Sequence, residues 1–76
     1  MNILVLNGPN LNLLGLREED IYGSESLASI EEKLKNLAHE SNCEIEFFQS
    51  NAEHELINSI QNAYENQVDV IIFNPA

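Results

Sequence analysis

Two residues in the first third of the chain, Arg17 and Tyr22, have the chemistry to remove a proton together. They lie five positions apart in a segment that also contains an acidic triplet. A tyrosine hydroxyl has an ordinary pKa of about 10, and a neighbouring guanidinium lowers it because positive charge favours the phenolate. Tyr22 beside Arg17 would then be a general base near neutral pH. The structural alternative, in which Arg17 pairs with the acids and Tyr22 packs on it, is the commoner arrangement and is also compatible with these residues.

Asparagines that follow apolar runs form a second group of candidates. An amide side chain both donates and accepts hydrogen bonds, which suits a ligand with several hydroxyl groups. Any single asparagine after a strand is more often a turn former, but one follows each of three apolar runs, which favours a shared polar rim. These residues are Asn7, Asn10, Asn51 and Asn74.

Three segments have the patterns of β-strands. Residues 3–6 are continuously apolar, which is typical of a strand buried on both faces. Within residues 43–49, positions 43–47 alternate between apolar and acidic, the period of a half-buried strand. Residues 68–73 form a nearly unbroken β-branched run. We therefore predict three strands, each closed by polar turn residues.

Two further segments have helical periodicity. Apolar residues recur every three or four positions from Leu27 to about His39, with Ser26 as the predicted N-cap. The same spacing recurs between Glu53 and Gln67, with acidic residues near its start. Residues 11–26 show neither period and are predicted to form a long loop, a candidate active-site lid.

The order strand, helix, strand, helix, strand predicts an α/β fold with a parallel sheet covered by helices. In such sheets ligands bind beyond the carboxyl ends of the strands, where the asparagines and the long loop are expected. The strand at residues 68–73 has no helix after it within the 76 residues and is therefore predicted to be an uncovered edge. The chain resembles half of a fold.

Composition excludes several functions. The chain has thirteen acidic and three basic side chains, a net charge of −10, which repels nucleic acid and anionic membranes. Neither a phosphate-binding glycine loop nor a metal-ligand spacing is present, and His39 and His54 are expected on the surface. We therefore expect neither a dinucleotide or triphosphate site nor a metal site. A single Cys43 and no apolar leader favour the cytoplasm.

Several of these segments together resemble the amino-terminal half of type II 3-dehydroquinate dehydratase. The first part of the resemblance comprises Asn7-Gly8-Pro9-Asn10-Leu11-Asn12-Leu13-Leu14-Gly15, Arg17-Glu18 and Tyr22-Gly23. The second part comprises Phe47-Phe48-Gln49-Ser50-Asn51 with Glu53, and Ile71-Ile72-Phe73-Asn74-Pro75. The order and spacing agree over all 76 residues.

The resemblance implies a flavodoxin-like three-layer sandwich, of which residues 1–76 are the first β-α-β-α-β half of a single domain. It implies a lyase of the shikimate pathway that dehydrates 3-dehydroquinate to 3-dehydroshikimate by anti elimination through an enolate, without a cofactor. Tyr22 would remove the C2 proton, Arg17 would lower the pKa of Tyr22 and stabilise developing charge, Asn74 would bind substrate, and Asn10 would bind substrate and shape the base of the lid. The resemblance thus favours the functional interpretation of Arg17 and Tyr22.

Family members are longer than this chain, and the resemblance places the histidine that protonates the departing hydroxyl in the additional segment. It also implies a homododecamer, a tetramer of trimers, with most contacts made by that segment. We therefore expect little or no activity from these 76 residues alone. The alternative is a non-catalytic binding or assembly module that pairs its third strand with a partner.

Overall fold

The computed structural model describes residues 1–14 and 25–75. Its elements are β1 (Asn2–Asn7), a 3₁₀ helix (Leu11–Leu13), α1 (Leu27–Glu40), β2 (Glu44–Gln49), α2 (Glu53–Glu65) and β3 (Val70–Asn74). The strands form one parallel sheet in the order β2-β1-β3. The predicted α/β class and the five predicted elements are confirmed.

β1 occupies the centre of the sheet, and its predicted burial on both faces is observed. Leu4, Val5 and Leu6 are buried, and Leu6 has no exposed surface. Successive side chains of a strand point to opposite faces. Leu4 and Leu6 accordingly pack with Ala63 of α2, whereas Val5 faces a cavity lined by residues of α1. The two helices therefore cover opposite faces of the sheet.

The ends of α1 are set by local hydrogen bonds. The Oγ of Ser26 accepts a hydrogen bond from the backbone N–H of Ser29 at 3.1 Å, which confirms the predicted N-cap. After the helix, Asn42 adopts a left-handed conformation with φ of 57°, and the N–H of Cys43 donates to the carbonyl of Ala38 at 2.8 Å. This turn directs the chain into β2.

The second helix is shorter than its periodicity predicts. It ends at Glu65 rather than Gln67, because Gln67 adopts a left-handed φ of 57° and cannot continue the helix. The N–H of Val68 then donates to the carbonyl of Ala63 at 3.1 Å. The chain then reverses its direction. β3 begins two residues later than the start of the strand predicted over residues 68–73.

The segment after β1 also differs from the prediction. Leu11–Leu13 form a short 3₁₀ helix where an irregular loop is expected. Leu11 and Leu14 are buried beside α1, so this turn is fixed by packing that has no period of its own. Residues 15–24 lie outside the described part of the chain.

β3 is apolar but exposed along its whole length. All five of its residues are exposed, and within the described residues it pairs only with β1. The predicted uncovered edge is therefore present. Within the same residues, neither helix combines the length and apolar character that crossing a membrane requires.

Candidate active site at the strand ends

The carboxyl ends of the three strands meet at one edge of the sheet. Asn7, the last residue of β1, is in register with Gln49 of β2 and with Asn74 of β3. Asn7 is buried, and its carbonyl accepts a hydrogen bond from the N–H of Ser50 at 3.1 Å. The predicted polar rim therefore forms, with Asn7 at its centre.

Asn10 stands on the turn that leaves β1. Its φ of 69° is in the left-handed region, which asparagine tolerates better than most residues. Its backbone N–H donates a hydrogen bond to Oδ1 of Asn51 at 2.9 Å. The turn is thereby attached to the end of β2, and the Asn10 residue is exposed at the rim.

Gln49 connects this turn to β2 through its side-chain amide. Nε2 of Gln49 lies 3.1 Å from the carbonyl oxygen of Gly8 and 3.1 Å from Oδ1 of Asn51. Oδ1 of Asn12 is a third acceptor at 3.4 Å. Because an amide nitrogen carries two hydrogens, the two shorter contacts are the main hydrogen bonds.

Gly8 attaches the same turn to β3. Its N–H donates to the carbonyl oxygen of Asn74 at 2.8 Å. A Cβ at position 8 would lie 2.6 Å from the carbonyl oxygen of Pro75, closer than any real Cβ contact allows. Glycine is therefore required here so that the ends of β1 and β3 can approach each other.

Asn74 lines a small cavity on the α1 side of the sheet. The cavity has a volume of about 100 Å³, and its polar lining consists of Asn7, Glu31 and Asn74. Its apolar wall comes from Leu11 and Leu14 after β1 and from Ile30 of α1, among others. A small polar ligand at the rim would thus meet two amides beside an apolar wall.

Ser50 fixes the start of α2 directly behind the rim. Its Oγ accepts from the N–H of Ala52 at 2.9 Å and donates to Oε1 of Glu55. Ser50 is buried, and the side chain of Ala52, the residue before α2, makes no capping hydrogen bond. Ser50 therefore connects the end of β2 to the first turn of α2 through Glu55 and holds the helix relative to the strand.

The positive charges of the described residues are engaged elsewhere. Lys33 forms an ion pair with Glu25, and Nζ of Lys35 lies 5.8 Å from the centre of the Phe47 ring. The whole sequence has only three basic residues, and the third is Arg17. Arg17 and Tyr22 lie outside the described residues, so their predicted proximity stays a prediction.

A larger cavity of about 450 Å³ lies on the α2 side of the sheet. Its lining includes two carboxylates, Glu44 and Glu46, which repel an anionic ligand more than the single carboxylate of the smaller cavity does. Neither Asn7, Asn10 nor Asn74 contributes to it. We therefore place the candidate active site at the strand ends rather than in the larger cavity.

The histidines take no part in this site. His39 and His54 are exposed on α1 and α2 respectively, as predicted. Over residues 1–14 and 25–75, no group of three His, Cys, Asp or Glu side chains is placed to hold a metal ion. The polar chemistry described at the rim is thus provided by amides, a hydroxyl and the backbone.

Comparison with known proteins identifies the family. The family model described as dehydroquinase class II matches residues 1–76. The chain belongs to this family. Among curated relatives, a 3-dehydroquinate dehydratase of Methylococcus capsulatus is 59% identical over 73 residues, which are 96% of this chain and 49% of the relative. One from Haemophilus influenzae is 58% identical over 74 residues, 97% of this chain and 49% of the relative.

Solved structures of class II dehydroquinases have the same fold. The type II dehydroquinase of Butyrivibrio crossotus aligns with a TM-score of 0.96 and 46% identity, over 100% of this chain and 52% of that one. The type II dehydroquinase of Propionibacterium acnes aligns with a TM-score of 0.89 and 35% identity, over 99% of this chain and 51% of that one. The chain thus has a flavodoxin-like fold and spans about half the length of the relatives it matches.

Gln49 was not among the residues predicted to form the site, although the sequence contains a signal for it. Ile45, Phe47 and Gln49 occupy the less exposed positions of β2. A glutamine that continues an apolar face at the last position of a strand requires a hydrogen-bond partner. Its partners are the Gly8 carbonyl and Oδ1 of Asn51, and these hydrogen bonds attach the turn after β1 to β2.

Proposed function

We propose that residues 1–76 form the amino-terminal half of a single type II 3-dehydroquinate dehydratase domain. In this proposal the domain dehydrates 3-dehydroquinate to 3-dehydroshikimate. The observation that carries the proposal is the alignment of the whole chain with one half of a type II dehydroquinase at a TM-score of 0.96. The rim at the strand ends lies where parallel sheets bind their ligands.

Within this reaction we assign proton removal to Tyr22. Its phenolate takes the proton from C2 of the substrate, and the electron pair of that C–H bond forms an enolate with the adjacent carbonyl. Arg17 keeps the pKa of Tyr22 low and stabilises the developing negative charge. The assignment of Arg17 is supported by the engagement of the two lysines with Glu25 and Phe47.

Asn10 and Asn74 bind the substrate in this proposal. Both belong to the rim, where Asn74 contributes to the small cavity and Asn10 is exposed on the turn after β1. Amides suit this task because they donate to carboxylate and carbonyl oxygens and accept from hydroxyl groups. The anionic substrate approaches a strongly acidic chain, so binding depends on a local cation, which we assign to Arg17.

The hydroxyl that leaves must be protonated by a general acid. We assign that acid to the part of the relatives that this chain does not span, which is about half of their length. General acid and base each contribute about 10²- to 10⁴-fold to a rate. The 76 residues alone are therefore expected to give little or no turnover.

The test is to measure 3-dehydroshikimate by its enone absorbance with two preparations. One is the 76-residue chain alone, and the other is this chain mixed with the separately expressed remainder of the Methylococcus capsulatus relative. We expect turnover only from the mixture. Rapid turnover by the chain alone would contradict the need for an external acid, and inactivity of the mixture would count against the proposed function.

Variants of the two tyrosines separate the base from other roles. Tyr22→Phe should lower the turnover of the mixture by about 10²- to 10⁴-fold, because it removes the proton acceptor. Tyr64→Phe is the matched control, since Tyr64 is 90% exposed on α2, far from the rim in the fold. Equal activities of the two variants would exclude Tyr22 as the base.

A second candidate function is an assembly module that pairs β3 with a partner strand and has no catalytic role. The observation that favours it is the exposure of Val70, Ile71, Ile72 and Phe73, which are 38–52% exposed on an unpaired edge. Size measurements with and without the remainder of a relative test association. Association with turnover supports the enzyme, whereas association without turnover supports the module.

We further propose that the protein acts in the cytoplasm and that its complete form assembles as a homododecamer, a tetramer of trimers. The cytoplasmic assignment is supported by the single Cys43 and by the absence of a membrane-crossing helix among the described residues. Cell fractionation and the solution mass of the mixture described above test the two statements separately.

A further inference from the structure

A continuous path of hydrogen bonds runs across the rim and joins Asn74 to Asn10. The carbonyl of Asn74 accepts from the N–H of Gly8, whose own carbonyl accepts from Nε2 of Gln49. The same Nε2 donates to Oδ1 of Asn51, which also accepts from the N–H of Asn10. All four contacts lie between 2.8 and 3.1 Å. The two residues assigned to substrate binding are therefore connected through one turn.

The orientation of both amides in this path is fixed by backbone groups. The N–H of Asn10 can only donate, so the atom of Asn51 that faces it must be the oxygen. The carbonyl of Gly8 can only accept, so the atom of Gln49 that faces it must be the nitrogen. A flip of either amide would place two donors or two acceptors opposite each other. Gln49 must therefore supply both donors.

Asn10 depends on this path for its position. Its left-handed φ of 69° is a conformation that non-glycine residues seldom adopt without support. The N–H of Asn10 is held by Asn51, and the carbonyl of Gly8, two residues earlier, is held by Gln49. Both supports come from the end of β2, and neither involves the Asn10 side chain.

We propose that Gln49 and Asn51 are positioning residues that hold Asn10 at the rim in the orientation that substrate binding requires. The proposal rests on the proposed function. Neither residue needs to touch the substrate, because each acts through the backbone of residues 8–10. Their effect on the reaction is therefore on the binding of substrate more than on the chemical step.

Two substitutions that each convert an amide to a carboxylate test this directly. In Gln49→Glu the donor is lost, and a carboxylate faces the Gly8 carbonyl and the Asn51 oxygen. In Asn51→Asp both accepting contacts survive, because a carboxylate oxygen accepts from Gln49 and from the Asn10 N–H. Both variants add one negative charge, so charge alone cannot explain a difference between them.

The first measurement is amide hydrogen exchange by NMR on the 76-residue chain. Gln49→Glu should reduce the protection of the Asn10 amide by about tenfold or more, and Asn51→Asp should retain it. Equal protection in both variants would overturn the proposal. If Gln49→Glu also lowers protection at Leu6 in the core, Gln49→Met removes the donors without adding charge, and unchanged Asn10 protection there would also overturn it.

The second measurement is the split between KM and kcat in the mixture with the remainder of the relative. Gln49→Glu should raise KM by about tenfold with a smaller change in kcat, which a loss of folded protein alone would not produce. The control is Gln61→Glu, the same substitution at an exposed position of α2. Equal KM values for the two variants would overturn the positioning role.

The two measurements distinguish failure of this proposal from failure of the proposed function. Without turnover from the unaltered mixture, the proposed function is contradicted, and the link between this path and substrate binding is contradicted with it. With normal turnover and no loss at Gln49→Glu, only the positioning role is contradicted.

Discussion

The two flanks of the central strand differ in how completely they are built. On the β2 side, side chains of Gln49, Ser50 and Asn51 bond to the backbone of their neighbours, and Ser50 is buried. On the β3 side, all five residues of the strand, four apolar and one polar, are exposed. The difference shows that apolar sequence alone does not bury a strand. Within the described residues both outer strands pair only with β1, so the difference comes from helix cover, since α1 packs against β2.

The second helix also leaves apolar residues exposed. Ile57, Ile60 and Tyr64 of α2 are 38–90% exposed, although helical periodicity places apolar residues of this kind toward a core. Like the residues of β3, they are exposed on a chain of net charge −10. Exposed apolar surfaces commonly mark a site of association. Both β3 and α2 are thus suited to contact with a further layer.

The largest expected effect compares a buried residue of β1 with an exposed residue of β3. Leu6→Ala should lower the free energy of unfolding by about 3 kcal/mol, because Leu6 is fully buried. Ile72→Ala should cost about 1 kcal/mol, since Ile72 is 52% exposed. Urea denaturation followed by circular dichroism measures both. Equal losses would show that β3 is covered in solution, contrary to the comparison.

A methyl group at Gly8 should disturb the contact between β1 and β3. Gly8→Ala places a carbon 2.6 Å from the Pro75 carbonyl oxygen, and the end of β3 must move. We expect a loss of about 2 kcal/mol and faster exchange of the residue 8 amide, which donates to Asn74. Exchange at Ser50, on the other flank, serves as the internal control. An unchanged residue 8 amide would indicate that the two strands are not in close contact.

Removing the hydroxyl of Ser50 should weaken the complete flank. Ser50→Ala leaves the N–H of Ala52 and the carboxyl of Glu55 without their partner, at a cost of about 1 to 2 kcal/mol. Ser26→Ala, which removes the ordinary cap of α1, is a matched comparison at about 1 kcal/mol. Thermal unfolding of both variants measures the difference. A neutral Ser50→Ala would refute the role of Ser50 in holding α2.

The smallest expected effect is a gain in stability. Gln67 adopts φ of 57°, a conformation that costs a non-glycine residue energy and costs glycine almost none. Gln67→Gly should therefore raise the free energy of unfolding by about 0.5 kcal/mol. Gln61→Gly, in the interior of α2, should instead lower it by about 1 kcal/mol. A loss of stability in both variants would contradict the left-handed turn.

Much of the fold could be predicted from the sequence, but not every end of its elements. The start of α1 at Leu27 follows from a serine cap and apolar spacing, and it agrees with the structure. The end of α2 was predicted two residues too late, because Gln67 enters the left-handed region without the glycine that usually signals it. The 3₁₀ helix at Leu11–Leu13 had no periodic signal and is fixed by packing against α1.

The sequence predicted where the candidate site lies, but it did not predict which hydrogen bonds connect its residues. The rule that ligands bind at the carboxyl ends of parallel strands placed Asn10 and Asn74 on one rim, where the structure has them. Gln49 was missed because its partner Gly8 is 41 positions away in the chain. The assignment of Arg17 and Tyr22 stays a prediction, tested by the tyrosine variants above.

By itself, the sequence determined which segments are strands and helices, since hydrophobic period, caps and turn residues act over a few neighbouring positions. The tertiary structure alone decided which strand lies at the centre, which apolar residues of α2 stay exposed and which amides meet at the rim. The reason is physical: hydrogen bonds such as that between Gln49 and Gly8 exist only once strand register brings distant residues within about 3 Å of each other.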